Sequence, residues 1–403
     1  MKKLWNKDYI LLLQGNMVST LGDLMYSVAI GYWVYEQTGS SALMGIMSAI
    51  SMFVTMLLSP FCGSIVDKCN RKWVMVGMDT LQGIIMLTVG IFALWGELST
   101  PIVLLAAFLA ALGSVFYSPA MSTLMIDIIP HDDMVRGQSI FSGTNSLINL
   151  VGSALSGAMV AFLGVPTIVI LNGMSNLYSA VTELFVTVPK TVQQGNAVSV
   201  KGILKDSRTA VKTIFSDRCL RLFVPAALMI NLLGAGCLSL VLPFCMEKGF
   251  SVDKYGYIMA IWTAASLICV LLLSVVKFKP KTRFLILAVG LSASVLFMVG
   301  AYLSNIFWLT CIFVFLGAFL NCAGNTVFNA SLMLALPEEN RGAILGFFQS
   351  ASIGGSALST VIYGCLGEIF PLYIVFAVGT AISLIPMLYM CLNKVTREFI
   401  INH

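Results

Sequence analysis

The chain has 403 residues, of which 58% are hydrophobic and 10% are charged, and its mean hydropathy is +0.93. Soluble globular proteins carry about 25% charged residues, so this composition excludes a water-soluble globular fold and indicates a protein that lies in lipid. The net charge of +5 arises from Lys and Arg in short segments between apolar runs, and it does not indicate a nucleic-acid partner.

Apolar runs of about 20 residues, the length that a helix needs to cross a bilayer, recur along the whole chain. These runs are continuous and do not alternate, so they predict helices and not the strands of a barrel. The sequence therefore predicts an all-α membrane protein whose twelve transmembrane helices form two pseudo-symmetric six-helix bundles. The predicted spans are 9–35, 42–66, 74–95, 101–125, 139–163, 166–188, 220–246, 255–276, 284–303, 306–334, 343–366 and 370–392.

The first span contains a carboxylate, Asp23, near its middle, in the stretch STLGDLMYSVAIGYWV. A charge at the bilayer centre costs at least about 2.5 kcal/mol, so such a residue is rare without a function. Helical spacing places a polar stripe on the same side of the span, and this stripe is expected to face the bundle interior or a water-filled cavity. The stripe contains Asn16, Ser19 or Thr20, Tyr26 and Ser27.

Three roles stay open for Asp23. The first role is that of a proton carrier. In the second, Asp23 remains ionised and binds a cationic substrate, and in the third it makes structural hydrogen bonds across the helix bundle. Proton coupling is the leading interpretation, and the two others are kept as alternatives.

The segment between spans two and three reads GSIVDKCNRK. It resembles the cytoplasmic loop signature of the major facilitator superfamily, roughly G-x-L-A-D-R/K-x-G-R/K-R/K, at Gly63, Asp67, Lys68, Arg71 and Lys72. Asp67 can accept charge-assisted hydrogen bonds from Arg71 or from a helix N-terminus, and Gly63 lets two helices approach closely. The resemblance implies a twelve-helix transporter in which this loop is a latch that holds the outward-facing state. The alternative is that its basic residues only enforce topology.

Within that superfamily, the stretch STLGDLMYSVAIGYWVYEQTGSS is similar to the first span of the third group of drug:proton antiporters. That group includes bacterial macrolide-efflux proteins and the enterobactin exporter, whose first span also carries S-x-x-G-D and ends near TGSS. The resemblance implies proton-driven export of amphipathic compounds. The antiporter motif G-P-x-x-G-G of span five is present only in degraded form, as GSALSG from Gly152 to Gly157, without its proline.

The two halves of the chain resemble each other. IPHDDMVRG joins spans four and five, LPEENRG joins spans ten and eleven, and a GSALS sequence follows each. This repetition predicts an internal duplication in which Arg341 is the second-half counterpart of Arg136. Gly152, Gly157 and Gly355 are expected to serve helix packing. The predicted domains are an N-terminal bundle over 1–189, a cytoplasmic linker over 190–219 and a C-terminal bundle over 220–403. The linker is predicted either to form an interfacial helix or to be solvated.

The placement of positive charge predicts the orientation of the spans. If the N-terminus is cytoplasmic, all of the 23 Lys and Arg residues except Lys248 and Lys254 lie in cytoplasmic segments. By the positive-inside rule, both termini are expected in the cytoplasm.

Other polar residues within the spans carry weaker signals. Asp79 is expected to pair with a loop cation, and Glu183, near the cytoplasmic end of span six, is expected to be reached by water. Asn321 and Asn325 either contact an uncharged polar substrate or make interhelical hydrogen bonds. Asn172 and Asn176 repeat this spacing, and interhelical hydrogen bonds are expected of them as well.

These features predict a secondary active transporter of the cell membrane, monomeric and multi-pass, that exports amphipathic organic compounds in exchange for protons by alternating access. A lysophospholipid or siderophore transporter is the alternative, and a membrane sensor or enzyme is a remote one. The sequence shows no catalytic constellation, no metal-ligand spacing and no nucleotide-binding G-x-x-x-x-G-K-[ST] motif, so no catalytic residue, metal or cofactor is expected.

Overall fold

The computed structural model describes residues 4–130, 133–187, 212–216, 220–275, 284–335 and 341–393, and the regular structure in these ranges is helical throughout. The first half contains α1 (Lys7–Thr38), α2 (Ser41–Lys68), α3 (Arg71–Trp95), α4 (Thr100–Ile128), α5 (Met134–Leu163) and α6 (Val165–Leu184). The second half contains α7 (Leu220–Ser239), α8 (Val241–Glu247), α9 (Val252–Val275), a π-helical turn (Ile286–Gly290), α10 (Leu291–Leu303), α11 (Phe307–Ala335), α12 (Arg341–Gly367), α13 (Leu372–Ile382) and α14 (Leu384–Leu392).

The predicted all-α fold with twelve spans is confirmed. In the described ranges, nine helices are long and apolar enough to cross a membrane, and α1, α6 and α12, which carry more polar and small residues, complete the set. Two predicted spans are broken: span seven divides into α7 and α8 at Leu240, and span twelve divides into α13 and α14 at Ser383. Hydropathy does not reveal these breaks, since both sides of each remain apolar.

The chain divides into two compact units, the first comprising residues 1–39 and 50–198 and the second residues 40–49 and 199–403. The predicted linker, 190–219, lies outside the described residues except for 212–216, which are helical. The predicted interfacial helix therefore stays a prediction.

In the first unit, α6 packs between α1 and α3, while α4 packs on α3 and α5 on α1. Glycines allow this close approach. A methyl group added at Gly15 of α1 would lie 2.6 Å from Thr182 Oγ1 of α6. A methyl group at Gly173 of α6 would lie 2.8 Å from the Leu87 backbone nitrogen of α3. The α1–α6 and α3–α6 contacts thus bring backbones together where a larger residue would separate them.

The variant Gly173→Ala is expected to lower the stability of the first unit by about 1–3 kcal/mol, because its methyl group meets rigid backbone of α3 and cannot be accommodated by a side-chain rotation. Gly77→Ala in α3 is the matched control, since no atom lies within 4 Å of the added methyl group. The thermal unfolding midpoint of the purified protein measures both. Equal midpoints for the two variants would show that the α3–α6 contact is not as close as described.

In the second unit, α7 packs on α12, and α11 packs on both α9 and α10. Residues 40–49 join this unit because the start of α2 contacts the end of α12. The Ser41 hydroxyl donates to the Gly364 carbonyl at 2.9 Å. The Glu368 carboxylate accepts hydrogen bonds from the Ser40 hydroxyl at 2.7 Å and from the Ala42 backbone N–H at 3.0 Å. Glu368 therefore caps the N-terminus of α2.

The Ala42 backbone N–H, followed by the Ser40 hydroxyl, holds the pKa of the Glu368 carboxyl below its usual value of 4.5. Because this pKa is lowered in the folded protein, the stabilisation is complete above pH 4.5 and is lost as the pH falls through the lowered pKa. We expect amide exchange of residues 40–43, corrected for intrinsic rates, to accelerate over that acidic window. In Glu368→Gln, exchange should be several-fold faster at neutral pH and should lack the acidic step. An identical acidic step in that variant would assign the effect to another group.

Candidate functional site

A polar pocket of about 440 Å³ lies inside the first unit. It is formed by α1, α3, α4, α5 and α6, and most of the side chains that line it are polar. Asn16, Ser19, Asp23, Asp79, Gln82, Tyr117, Asn145 and Asn176 are among them. A polar cavity within an apolar helix bundle is the environment in which an intramembrane carboxylate is stable, because water or a polar ligand can solvate it.

Asp23 lines this pocket, and its side chain is exposed to it. The Asn176 amide of α6 donates to Asp23 Oδ1 at 3.4 Å, at the long end of hydrogen-bond distances. Asn176 also donates to the Asn172 side-chain oxygen at 3.0 Å. Asn176 thus makes an interhelical hydrogen bond, as expected of this pair of asparagines, and the bond orients the carboxylate of α1.

The remaining residues of the predicted α1 stripe divide between the pocket and the helix itself. Asn16 lines the pocket. Tyr26 lies close enough to Asp23 to interact with it electrostatically, although it is not among the pocket-lining residues. The Ser27 hydroxyl donates to the Leu24 carbonyl of its own helix at 2.9 Å, which satisfies it within α1.

Two further carboxylates lie beside this pocket, and the expectations for both were wrong. Asp79 is only 3% exposed and lines the pocket, and no loop cation hydrogen-bonds to it among the described residues. Glu183 is 2% exposed and is not reached by bulk water. The Tyr117 hydroxyl of α4 donates to Glu183 Oε1 at 3.0 Å. Asp79 is near enough to both Asp23 and Glu183 to interact electrostatically with each.

Several polar atoms at the pocket are buried and make no hydrogen bond within the described part of the chain. On pocket-lining residues they are Asn16 Oδ1, Asp79 Oδ2 and Asn145 Oδ1, and behind the pocket they are Ser179 Oγ and Glu183 Oε2. Buried polar groups are nearly always paired in folded proteins, so a group of such atoms around one cavity indicates that water, a proton or a polar ligand satisfies them. The first unit therefore contains an acidic, solvated site.

The predicted latch segment forms the end of α2 and the start of α3, and the side chains of Gly63, Asp67 and Lys68 lie outside the described set. Arg71 makes an ion pair with Asp127, at the end of α4. Lys72 donates to the carbonyls of Leu184 and Val186, at 2.7 and 2.8 Å, and thereby caps the end of α6. The start of α3 is thus bonded to the ends of both α4 and α6.

The sequence-predicted residues of the second half do not enter this pocket. Asn325 of α11 donates to the side-chain oxygen of Asn321 at 2.8 Å, so the two amides satisfy each other. Arg341 is the first residue of α12, and its side chain is outside the described set. A methyl group at Gly355 would lie 3.9 Å from the Leu228 carbonyl oxygen of α7, an ordinary contact distance.

Of the small residues predicted to pack span five, Gly152 lies against α1. An added methyl group there would lie 2.8 Å from Leu24 and 3.2 Å from Leu21. Gly157, one and a half turns later in α5, is buried. Both positions are therefore compatible with close packing of α5.

Sequence reasoning missed Gln82 and Asp127, and it considered Tyr117 only as an aromatic contact for an amphipathic ligand and not as a partner of Glu183. The Gln82 amide donates to the Ala110 carbonyl and the Ser114 hydroxyl of α4, both at 3.3 Å, and so turns a polar face toward the pocket. One available signal was the spacing of the polar residues of α6, which recur three or four positions apart along one face. These residues are Asn172, Asn176, Ser179 and Glu183.

A helical, multi-pass membrane protein with an acidic polar pocket inside a six-helix unit has the properties of a solute transporter. The family model described as Major Facilitator Superfamily matches residues 12–244 and 226–398, and the chain belongs to that superfamily. The membership predicted from the loop signature is confirmed.

Curated relatives of the chain are transporters. Macrolide efflux protein A of Streptococcus pyogenes is 21% identical over 186 residues, which are 46% of each chain, so this chain spans about half the length of that relative. The Na(+), Li(+), K(+)/H(+) antiporter of Planococcus maritimus is 26% identical over 263 residues, 62% of this chain and 59% of that protein. These relatives support transport, and efflux in general, as the activity of the family members that the chain resembles.

The fold is also found among solved structures. A bacterial homolog of the human lysosomal transporter Spinster, crystallised in an inward-facing and occupied conformation, matches with a TM-score of 0.68. The match covers 99% of this chain and 97% of the other, at 13% sequence identity. At this identity the likeness shows the fold alone.

Proposed function

We propose that this protein exports amphipathic organic compounds of the macrolide type in exchange for protons, by alternating access. The observation that carries the proposal is the exposure of Asp23 to a polar pocket of about 440 Å³ that also holds Asp79. A carboxylate at this depth can take up a proton on one side of the membrane and release it on the other, because its neutral form avoids the cost of a charge in apolar surroundings. The similarity to macrolide efflux protein A supports the substrate class.

Hydrophobic surface for such a substrate exists in the second unit. An apolar cavity of about 70 Å³ there is lined by aromatic side chains, among them Phe244, Trp262 and Tyr302. Ligand pockets are lined predominantly by hydrophobic and aromatic side chains. This cavity therefore offers apolar contacts to a part of such a substrate.

The test uses the purified full chain reconstituted in lipid vesicles. With an imposed pH gradient, radiolabelled erythromycin is expected to accumulate against its concentration gradient, and a protonophore should abolish this accumulation. Trapped unlabelled erythromycin should accelerate entry of the labelled compound without any pH gradient. Absence of both effects would show that the chain does not carry this substrate class.

A second candidate function, exchange of alkali cations for protons, is favoured by the oxygen-rich pocket, in which Asp79 Oδ2 and Asn16 Oδ1 have no partner among the described residues. Hard monovalent cations prefer such carboxylate and amide oxygens. The similarity to the Planococcus maritimus antiporter agrees with this candidate. Movement of protons in response to Na⁺, Li⁺ or K⁺, with no response to erythromycin, would favour it over drug export.

Three further parts of the proposal follow from the sequence and remain to be tested. Both termini face the cytoplasm, and the protein is a monomer. Residues 63–72 act as a conformational latch, and Arg341 is the second-half counterpart of Arg136, which lies in the segment that joins predicted spans four and five. The ion pair between Arg71 and Asp127 supports a latch that includes the end of α4.

A further inference from the structure

We propose that Asp79, Ser179, Tyr117 and Glu183 form a proton relay that connects the polar pocket to the end of α6. The inference rests on the proton exchange of the proposed function, which drug export and cation exchange share. It deepens that function by giving the proton a path that begins at the substrate pocket and leaves it through α6. These four residues are called the relay below.

The relay is formed by three helices. Asp79 is contributed by α3 and lines the pocket, while Glu183 of α6 does not line it. The Ser179 hydroxyl, one turn before Glu183, lies beside Asp79, Tyr117 and Glu183. It makes no hydrogen bond within the described residues, so it can turn between the two carboxylates. Ser179 is fully buried, which keeps the path separate from bulk water.

Tyr117 determines which oxygen of Glu183 receives the proton. Its hydroxyl donates to Glu183 Oε1 at 3.0 Å, whereas Glu183 Oε2 is buried and has no partner in the described part of the chain. Asp79 Oδ2 is buried without a partner in the same way. Each carboxylate of the relay therefore has one oxygen available for a proton.

The charged and titratable groups around the relay come from every helix packed against it. Asp23 of α1 interacts with Asp79 from the pocket side, and Tyr117 approaches from α4. Lys72, in the first turn of α3, is bonded to the last carbonyls of α6, directly after Glu183.

The transfer balances without any additional reactant. When substrate binds, the O–H bond of the Asp23 carboxylic acid breaks, and its proton passes to the Asp79 carboxylate. The Asp79 proton then passes to the Ser179 oxygen while Ser179 gives its own hydroxyl proton to Glu183 Oε2. One proton has moved from Asp23 to Glu183, Ser179 is unchanged, and no electrons are exchanged.

The test compares Glu183→Gln with Glu36→Gln, a matched change at the other boundary of the membrane, where Glu36 accepts a hydrogen bond from Tyr32. In vesicles, Glu183→Gln is expected to slow pH-gradient-driven erythromycin accumulation by about 10²-fold and to leave counterflow unchanged. Glu36→Gln should behave as the wild type. Ser179→Ala should slow accumulation while keeping both carboxyl groups, and it serves as a second variant if Glu183→Gln does not fold.

Infrared difference spectra between acidic and alkaline pH give a readout independent of transport. A carboxylic C=O band should disappear in Glu183→Gln and shift in Tyr117→Phe, since that variant removes the hydrogen bond to Glu183. Normal gradient-driven accumulation in both Glu183→Gln and Ser179→Ala would overturn the relay alone. Failure of the wild type to couple erythromycin or alkali cations to protons would overturn the proposed function, and the relay with it.

Discussion

Asp23→Asn is expected to abolish pH-gradient-driven export, with a loss of about 10²-fold or more in initial rate. Asn has nearly the same shape as Asp and can still accept the hydrogen bond from Asn176, so the pocket should keep its geometry. The Asn amide cannot bind and release a proton near neutral pH, so the substitution removes proton coupling and leaves substrate binding intact. Counterflow of labelled erythromycin in vesicles should therefore continue at a rate close to that of the wild type.

Asp253→Asn is the matched control for that experiment, because Asp253 lies in the first turn of α9 and lines neither described pocket. It should transport normally under both conditions. Uphill export by Asp23→Asn at the wild-type rate would assign Asp23 a structural role. Loss of both uphill export and counterflow would instead support direct binding of a cationic substrate, which is the other alternative for this residue.

Asp127→Asn is expected to lower the stability of the first unit by about 1.5–3 kcal/mol, because it removes a charge-assisted pair between α3 and α4. The pair is largely shielded from solvent, as the side chains of Arg71 and Asp127 are 12% and 19% exposed. If residues 63–72 act as a latch, Asp127→Asn should also change the proportions of the inward-facing and outward-facing states. Thermal unfolding and cysteine labelling from each side measure the two effects.

The charge-swapped variant with Arg71→Asp and Asp127→Arg separates attraction from packing, since it restores opposite charges in reversed positions. We expect it to recover at least half of the lost stability. Asp133→Asn, at the start of α5, is the control that removes a nearby carboxylate without breaking this pair. A swapped variant no more stable than Asp127→Asn would show that the geometry of the pair, and not its charge, is what matters.

The spans could be predicted from sequence because their cause is local. A continuous apolar run of about 20 residues has few alternatives to a membrane helix, whatever its neighbours are. The breaks at Leu240 and Ser383 could not be predicted in this way. A proline lies three residues after each break, Pro243 in α8 and Pro386 in α14, but Pro119 lies inside the unbroken helix α4, so a proline alone does not identify a break.

Asp23 and Asn16 were placed at the pocket by depth and helical spacing alone, and the structure puts both there. Asp79 and Glu183 were assigned to solvent or to a loop cation because each lies near the end of its span. Their burial depends on α6 packing against α1 and α3, which no single-helix pattern contains. For the same reason, the ion pair of Arg71 with Asp127 could not be predicted, because it joins α3 to α4 across the fold.

The glycines at which α6 contacts α1 and α3 also limit the evolutionary changes that the acidic site can accept. Because α6 meets α1 at Gly15 and α3 at Gly173 with almost no clearance, it has little freedom to rotate or slide. New transport preferences in descendants of this protein should therefore arise by exchanging pocket side chains over an unchanged backbone. Homologues that replace either glycine should have lost the buried Glu183 as well.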